Sequence, residues 1–153
     1  MEKVEILRAC PLFAGFTDVG LQIIATIAVP QSVAAGEALF EEGQPSDALH
    51  VVTGGEAEIS VLAPDGEPRI LGRVGEGDVV GEMALLGSGR RLATVRAVTD
   101  LEELRVSRKE FSQLQRRKPQ ACLKLLMAIV QGFGRRLGED ADSLRSLLAR
   151  AAD

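Results

Sequence analysis

The sequence predicts a mainly β domain, a sandwich or barrel of short strands with helices at both ends. Two observations carry that expectation. From Gln31 to Ser107 glycines recur at positions 36, 43, 54, 55, 66, 72, 75, 77 and 81, with short apolar or alternating runs between them. That is the pattern of short strands joined by tight turns. Outside this stretch the apolar residues fall at helical spacing. The 153 residues suffice for a single domain with one core. Its parts read as N-terminal helices over 1–30, strands over 31–107 and C-terminal helices over 108–153.

Each element has a local reason. Residues 2–9 form a short helix ended by Pro11, which cannot continue it. Thr17 caps a second helix that reaches Val29, with Leu21, Ile24, Ile27 and Ala28 on one face. Ala48 to Thr53 is a strand, and Glu56 to Val61 alternates polar and apolar, as a strand with one wet face does. Pro64-Asp65-Gly66-Glu67 is a hairpin turn, and Arg69 to Val74 returns as the partner strand. Ala93 to Ala97 and Leu101 to Val106 are further strands. Ser107-Arg108-Lys109-Glu110 is a capping box. It opens a helix to Lys118, and Pro119 interrupts that helix or starts the next. The last helix runs from Gln120 to Ala149, with Leu123, Leu126, Val130, Phe133, Leu137, Leu144 and Leu147 in a heptad seam and polar Asp140 at one seam position. Gly132, Gly134 and Gly138 weaken its middle by roughly 1 kcal/mol each relative to alanine, so a hinge is expected there. Its apolar stripe exceeds what the strands need to cover, and a homodimer through this helix is expected.

Composition excludes several classes. A hydrophobic content of 46% fits a packed core rather than disorder. A net charge of −4 opposes direct nucleic-acid binding, and no helix-turn-helix follows the strands. Arg116-Arg117-Lys118 and Arg135-Arg136 read as solvated faces or partners of helix dipoles. Cys10 and Cys122 read as separate buried thiols in a reducing cytosol. No apolar run reaches the roughly 20 residues that span a bilayer. Met1-Glu2-Lys3-Val4-Glu5 does not start a signal peptide, so a cytoplasmic protein without a membrane partner is expected. The lone His50 makes no metal site. Ser60, Ser88 and Ser107 have no paired base. Neither a metal nor an enzymatic activity is expected.

The chemistry concentrates in residues 81–95, Gly81-Glu82-Met83-Ala84-Leu85-Leu86-Gly87-Ser88-Gly89-Arg90-Arg91-Leu92-Ala93-Thr94-Val95. Gly81 allows a tight turn out of the strand holding Val79 and Val80. Glu82 is an acceptor suited to a hydroxyl donor. Met83 to Leu86 favour one helical turn, whose free N–H groups around Ala84 and Leu85 point at an anion. Arg91 supplies a forked cation, and the N–H groups of Leu92 and Ala93 add donors. An anion that also carries a hydroxyl needs these three things, and a cyclic nucleotide is such a ligand. By spacing alone the same residues also fit a solvated turn with a surface ion pair.

The wider pattern resembles the cyclic nucleotide-binding domain family over nearly the whole chain. Pro11-Leu12-Phe13 and the Thr17 helix resemble its entry helices. Ala35-Gly36-Glu37-Ala38-Leu39-Phe40-Glu41-Glu42-Gly43-Gln44-Pro45-Ser46-Asp47 resembles its first hairpin, and His50-Val51-Val52-Thr53-Gly54-Gly55-Glu56-Ala57 the next strand pair. Val74-Gly75-Glu76-Gly77-Asp78-Val79-Val80-Gly81-Glu82 resembles the approach to its phosphate-binding cassette. The resemblance implies a jelly roll, or double-stranded β-helix. It makes Gly81, Glu82, Met83, Ala84, Arg90, Arg91, Leu92, Ala93, Val80 and Leu71 ligand-binding positions, with Glu82 on the ribose and Arg91 on the phosphate. Val80 stands where the family usually has Phe, as an apolar wall. Arg90 stands where Pro is common and adds a second cation. Leu92 stands where the family has a small or hydroxyl residue. Without that hydroxyl the usual guanine contact is missing, so cyclic AMP is favoured over cyclic GMP. The resemblance further implies a switch in which the last helix moves over the bound base, with an effector protein not named by the sequence. The alternative is a protein-interaction module of the same fold whose site is closed by the bulk of Leu92.

Overall fold

The computed structural model describes residues 2–87, 89–139 and 149. Eight strands build two four-stranded antiparallel sheets: β1 (Ala28–Val33), β2 (Ala38–Phe40), β3 (Ala48–Gly54), β4 (Ala57–Leu62), β5 (Pro68–Val74), β6 (Val79–Val80), β7 (Thr94–Ala97) and β8 (Leu101–Ser107). One sheet runs in the order β1-β8-β3-β6 and the other β2-β7-β4-β5. Each sheet thus mixes early and late strands, and the architecture is the jelly roll that the sequence predicts. The β4–β5 hairpin closes as expected: Gly66 takes φ +84°, its N–H donates to Ala63 O at 2.9 Å, and Asp65 accepts from the Glu67 N–H at 3.0 Å.

Helices α1 (Lys3–Ala9) and α2 (Asp18–Ala25) precede the strands, with a 3₁₀ turn at Pro11–Phe13 between them; α3 (Arg108–Arg117) and α4 (Pro119–Glu139) follow. Thr17 caps α2 by accepting from the Gly20 N–H at 3.1 Å, and Ser107 caps α3 through the Glu110 N–H at 3.1 Å. Pro119 opens α4 rather than breaking α3, because its fixed φ suits a first helical turn. Helix α2 ends at Ala25, not near Val29. Ile27 and Ala28 are buried as the helical pattern requires, yet Ala28 and Val29 already pair with Val106 and Arg105 of β8.

β3 is buried on both faces. Leu49 and Val51 meet the helices, in a core with Leu7, Phe13, Ile24, Phe111 and Ile129. On the opposite face Val52 joins a smaller core inside the sandwich with Ala57, Val95 and Leu101. Both cysteines are free and buried, and burial pushes both thiols above their ordinary pKa. On α4 the structure corrects the predicted seam. The residues buried against the core are Cys122, Leu125 and Ile129. Leu123 and Val130 are exposed instead, while Leu126 and Phe133 lie half-buried. The helix has two apolar faces, and the heptad reading merged them. Leu137, Asp140, Leu144 and Leu147 lie outside the described side chains.

Candidate functional site

β6 hangs on β3 through the pairs His50–Val80 and Val51–Val79. The chain then leaves the sheet at Gly81, which takes φ +74° and ψ +20°. A Cβ there would lie 3.0 Å from Ala48 O and would collide with Nη1 of Arg91. Glycine is therefore required twice, for the left-handed backbone and for the approach of the arginine. One 3₁₀ turn follows, Glu82–Leu85, with Glu82, Ala84 and Leu85 buried. The Ala84 N–H donates to Gly81 O at 3.1 Å. It closes this turn rather than pointing outward as the sequence reading expects.

The far side of the cassette is clamped by residues 43–46. Arg91 N–H donates to Gln44 O at 2.7 Å, Gly43 N–H to Arg91 O at 2.9 Å and Ser46 N–H to Gly89 O at 2.8 Å. Arg90 adds to this clamp through Nη1, which donates to Gly43 O at 2.9 Å.

The clamp fixes Arg91, which is 5% exposed. Its Nη2 donates to Ala48 O at 2.8 Å, and its guanidinium carbon lies 3.9 Å from the centroid of the Phe40 ring, a cation–π contact. The Asp47 carboxylate stands 3.6 Å from Nη2. Nε is buried and has no hydrogen-bond partner among the described residues. Burial lowers the Arg91 pKa from its ordinary value, and the charge of Asp47 partly offsets that.

Glu82 and Arg91 share the wall of a cavity of about 670 Å³, within the range of small-molecule sites. Val80, Met83, Ile59 and Val95 give it apolar surface, and Phe133 brings α4 to its edge. Gly81, Arg90, Leu92 and Ala93 also line it. Leu92 is 74% exposed, so its side chain stands at the mouth and does not fill the space. Two expected residues are not brought to the lining. Ala84 is fully buried beneath the turn. Leu71 lies on β5, an edge strand, and is 60% exposed. Sequence reasoning missed Phe40, Ile59 and Val95, which reach Arg91 or the cavity through cross-strand pairing, and Asp47, which the turn before β3 brings beside Arg91.

The sequence pattern of the cyclic nucleotide-binding domain matches residues 30–118. The chain belongs to that family. The CRP-like cAMP-activated global transcriptional regulator of Mycobacterium tuberculosis is 25% identical to it over 138 residues, 90% of this chain and 62% of the regulator. Among solved structures, the N-terminal domain of a transcriptional regulator from Streptomyces coelicolor A3(2) is 32% identical with a TM-score of 0.76, covering 90% of this chain and 95% of that one. The Thermus thermophilus catabolite activator protein is 30% identical with a TM-score of 0.78, covering 91% of this chain and 63% of that one. Among the described residues of this cyclic nucleotide-binding domain, no group of three or more His, Cys, Asp or Glu is placed to hold a metal ion. No described helix is long and apolar enough to cross a membrane.

Proposed function

We propose that this single domain is a cytoplasmic sensor, not an enzyme, that binds cyclic AMP in preference to cyclic GMP in the cavity between the cassette and α4. One observation supports this above the others. Arg91 is a buried cation in the cavity wall whose Nε has no partner, and whose nearest paired carboxylate stands 3.6 Å away, among the described residues. Removing a charge from water costs several kcal/mol unless a counter-charge meets it, and a phosphate entering the cavity provides one. Arg91 then takes the phosphate, Glu82 accepts from the ribose 2′-OH, and the apolar wall of Val80, Ile59 and Val95 takes the base. Leu92 offers no hydroxyl to a guanine. The relative whose name includes cAMP activation supports the same ligand.

Phe133 lines the cavity from α4 and sits between Gly132 and Gly134. Ligand arrival is read out as a change in the position of this helix. A ligand shifts such an equilibrium only through unequal affinity for its two states, and contact between base and Phe133 supplies that inequality. The output passes through α4 to a second copy of the chain and to an effector protein. This domain itself does not contact nucleic acid.

Calorimetric titration with cyclic AMP and cyclic GMP, side by side, tests the proposal. Saturable heat is expected with cyclic AMP and weaker binding with cyclic GMP. A folded protein that gives no heat at millimolar cyclic AMP would point instead to an interaction module without a ligand.

A further inference from the structure

His50 has no part in the roles above, yet it is 4% exposed on β3, on the inward face with Val52. Its Nδ1 lies 2.6 Å from Oε2 of Glu103, a side chain on β8 whose residue is 1% exposed. Its Nε2 lies 3.3 Å from Nη2 of Arg91. Its ring stands 5.5 Å from the ring of Phe40, on which the guanidinium rests. The three polar side chains form a buried row from the interior of the sandwich to the cavity wall. The contact between His50 and Glu103 is diagonal across the sheet, since Glu103 is paired with Val52 and His50 with Arg105.

Elementary hydrogen-bond chemistry orders the protons along this row. A carboxylate only accepts and a guanidinium only donates. The imidazole between them satisfies both by carrying its proton on Nδ1 and turning the lone pair of Nε2 to Arg91. Glu103 thereby selects the tautomer and fixes the ring, as an outer partner does for a histidine that serves a metal. A long arginine side chain has much rotamer freedom, which binding must otherwise remove. Here its Nη2 end is held twice, by Ala48 O and by His50.

We propose that His50, oriented by Glu103, is a positioning residue for Arg91, holding the plane in which the remaining guanidinium N–H groups meet the nucleotide phosphate. The proposal rests on the nucleotide reading of the cavity. The test compares cyclic AMP affinity in the wild type, His50→Phe and His50→Gln. The phenyl ring keeps the shape and removes the acceptor, while the glutamine amide returns an acceptor near the position of Nε2. His50→Phe should weaken binding roughly ten- to a hundredfold, the worth of a hydrogen bond to a charged group. His50→Gln should recover most of it, whereas a ring needed only as filling would not be replaced by an amide. Equal affinities of the two variants, whether at the wild-type level or below it, overturn the positioning role and leave the nucleotide reading standing. If His50→Phe does not fold, because Glu103 then lies buried without its partner, the double variant His50→Phe/Glu103→Leu takes its place and is read in the same way. A wild-type protein that binds no cyclic AMP overturns the reading of the cavity, and the positioning role falls with it.

Discussion

Arg91 keeps its charge inside the protein with the carbonyls of Ala48 and Gly81, the Nε2 of His50, an aromatic face and a carboxylate 3.6 Å away. A buried cation whose one paired carboxylate among the described residues stands that far off contributes poorly to stability, so its removal should separate function from folding. Arg91→Leu should weaken cyclic AMP binding by roughly 2–5 kcal/mol, as loss of one partner of a buried charge pair does. The ligand-free protein should unfold in denaturant at a midpoint no lower than that of the wild type. Gly81→Ala should do the opposite of such a clean separation. Its methyl group strikes Arg91 and Ala48 at a left-handed backbone position. A stability loss of roughly 1–3 kcal/mol and weaker cyclic AMP binding should therefore appear together in denaturation and titration of one sample. Gly81, Glu82 and Arg91 were legible because they are close in sequence and each residue type has a local reason. Phe40, Asp47 and His50 were not. They meet Arg91 only through tertiary contacts across more than forty positions, and nothing beside them in the chain announces the arginine. The one trace of His50 was its place as a polar residue between Leu49 and Val51 in an apolar strand.

Elements with a capping residue or a turn dipeptide were read within a residue or two, as at Ser107 for α3 and at Asp65-Gly66 for the β4–β5 hairpin. The errors fall where apolar spacing alone decided. Apolar spacing carries α2 into β1 because burial continues through Ile27 and Ala28, although the hydrogen-bonding partner changes from helix to sheet. On α4 the seam was drawn through Leu123 and Val130, since a sequence period does not say which of two apolar faces meets the core. A Cβ on Gly134 would meet nothing within 4 Å, and its backbone is helical. Gly134→Ala should stabilise the helix by about 1 kcal/mol and raise the thermal midpoint by about 2–4 °C. If α4 must bend beside Phe133 to close on a ligand, the same variant should change cyclic AMP affinity while leaving every residue of the cavity wall in place. An unchanged affinity with a raised midpoint would show that the glycines are not the hinge.

The whole molecule buries one face of α4 and leaves another apolar face open. Cys122, Leu125 and Ile129 complete the helical core, whereas Leu123, Met127 and Val130 are 59%, 52% and 55% exposed. Their spacing of four and then three residues puts them on one stripe. Neighbouring positions on such a stripe cost free energy in water at roughly 25 cal/mol per Å² of apolar surface. An antiparallel or parallel match with the same stripe of a second copy would bury it symmetrically. It would also tie the position of α4, and so the occupancy of the cavity beside Phe133, to assembly. Met127 lies at the centre of the stripe and outside the cavity lining, so Met127→Glu places a charge in the proposed contact without touching the ligand site. In sedimentation the wild type should run as a dimer and Met127→Glu as a monomer with the same thermal midpoint at low concentration. If ligand binding and assembly are coupled, adding cyclic AMP should shift the wild-type association constant, and by reciprocity the monomeric variant should bind the nucleotide with an affinity altered by the square root of that factor, since a dimer carries two sites. A wild type that stays monomeric at high concentration, with and without nucleotide, would remove the second copy as the partner of this face.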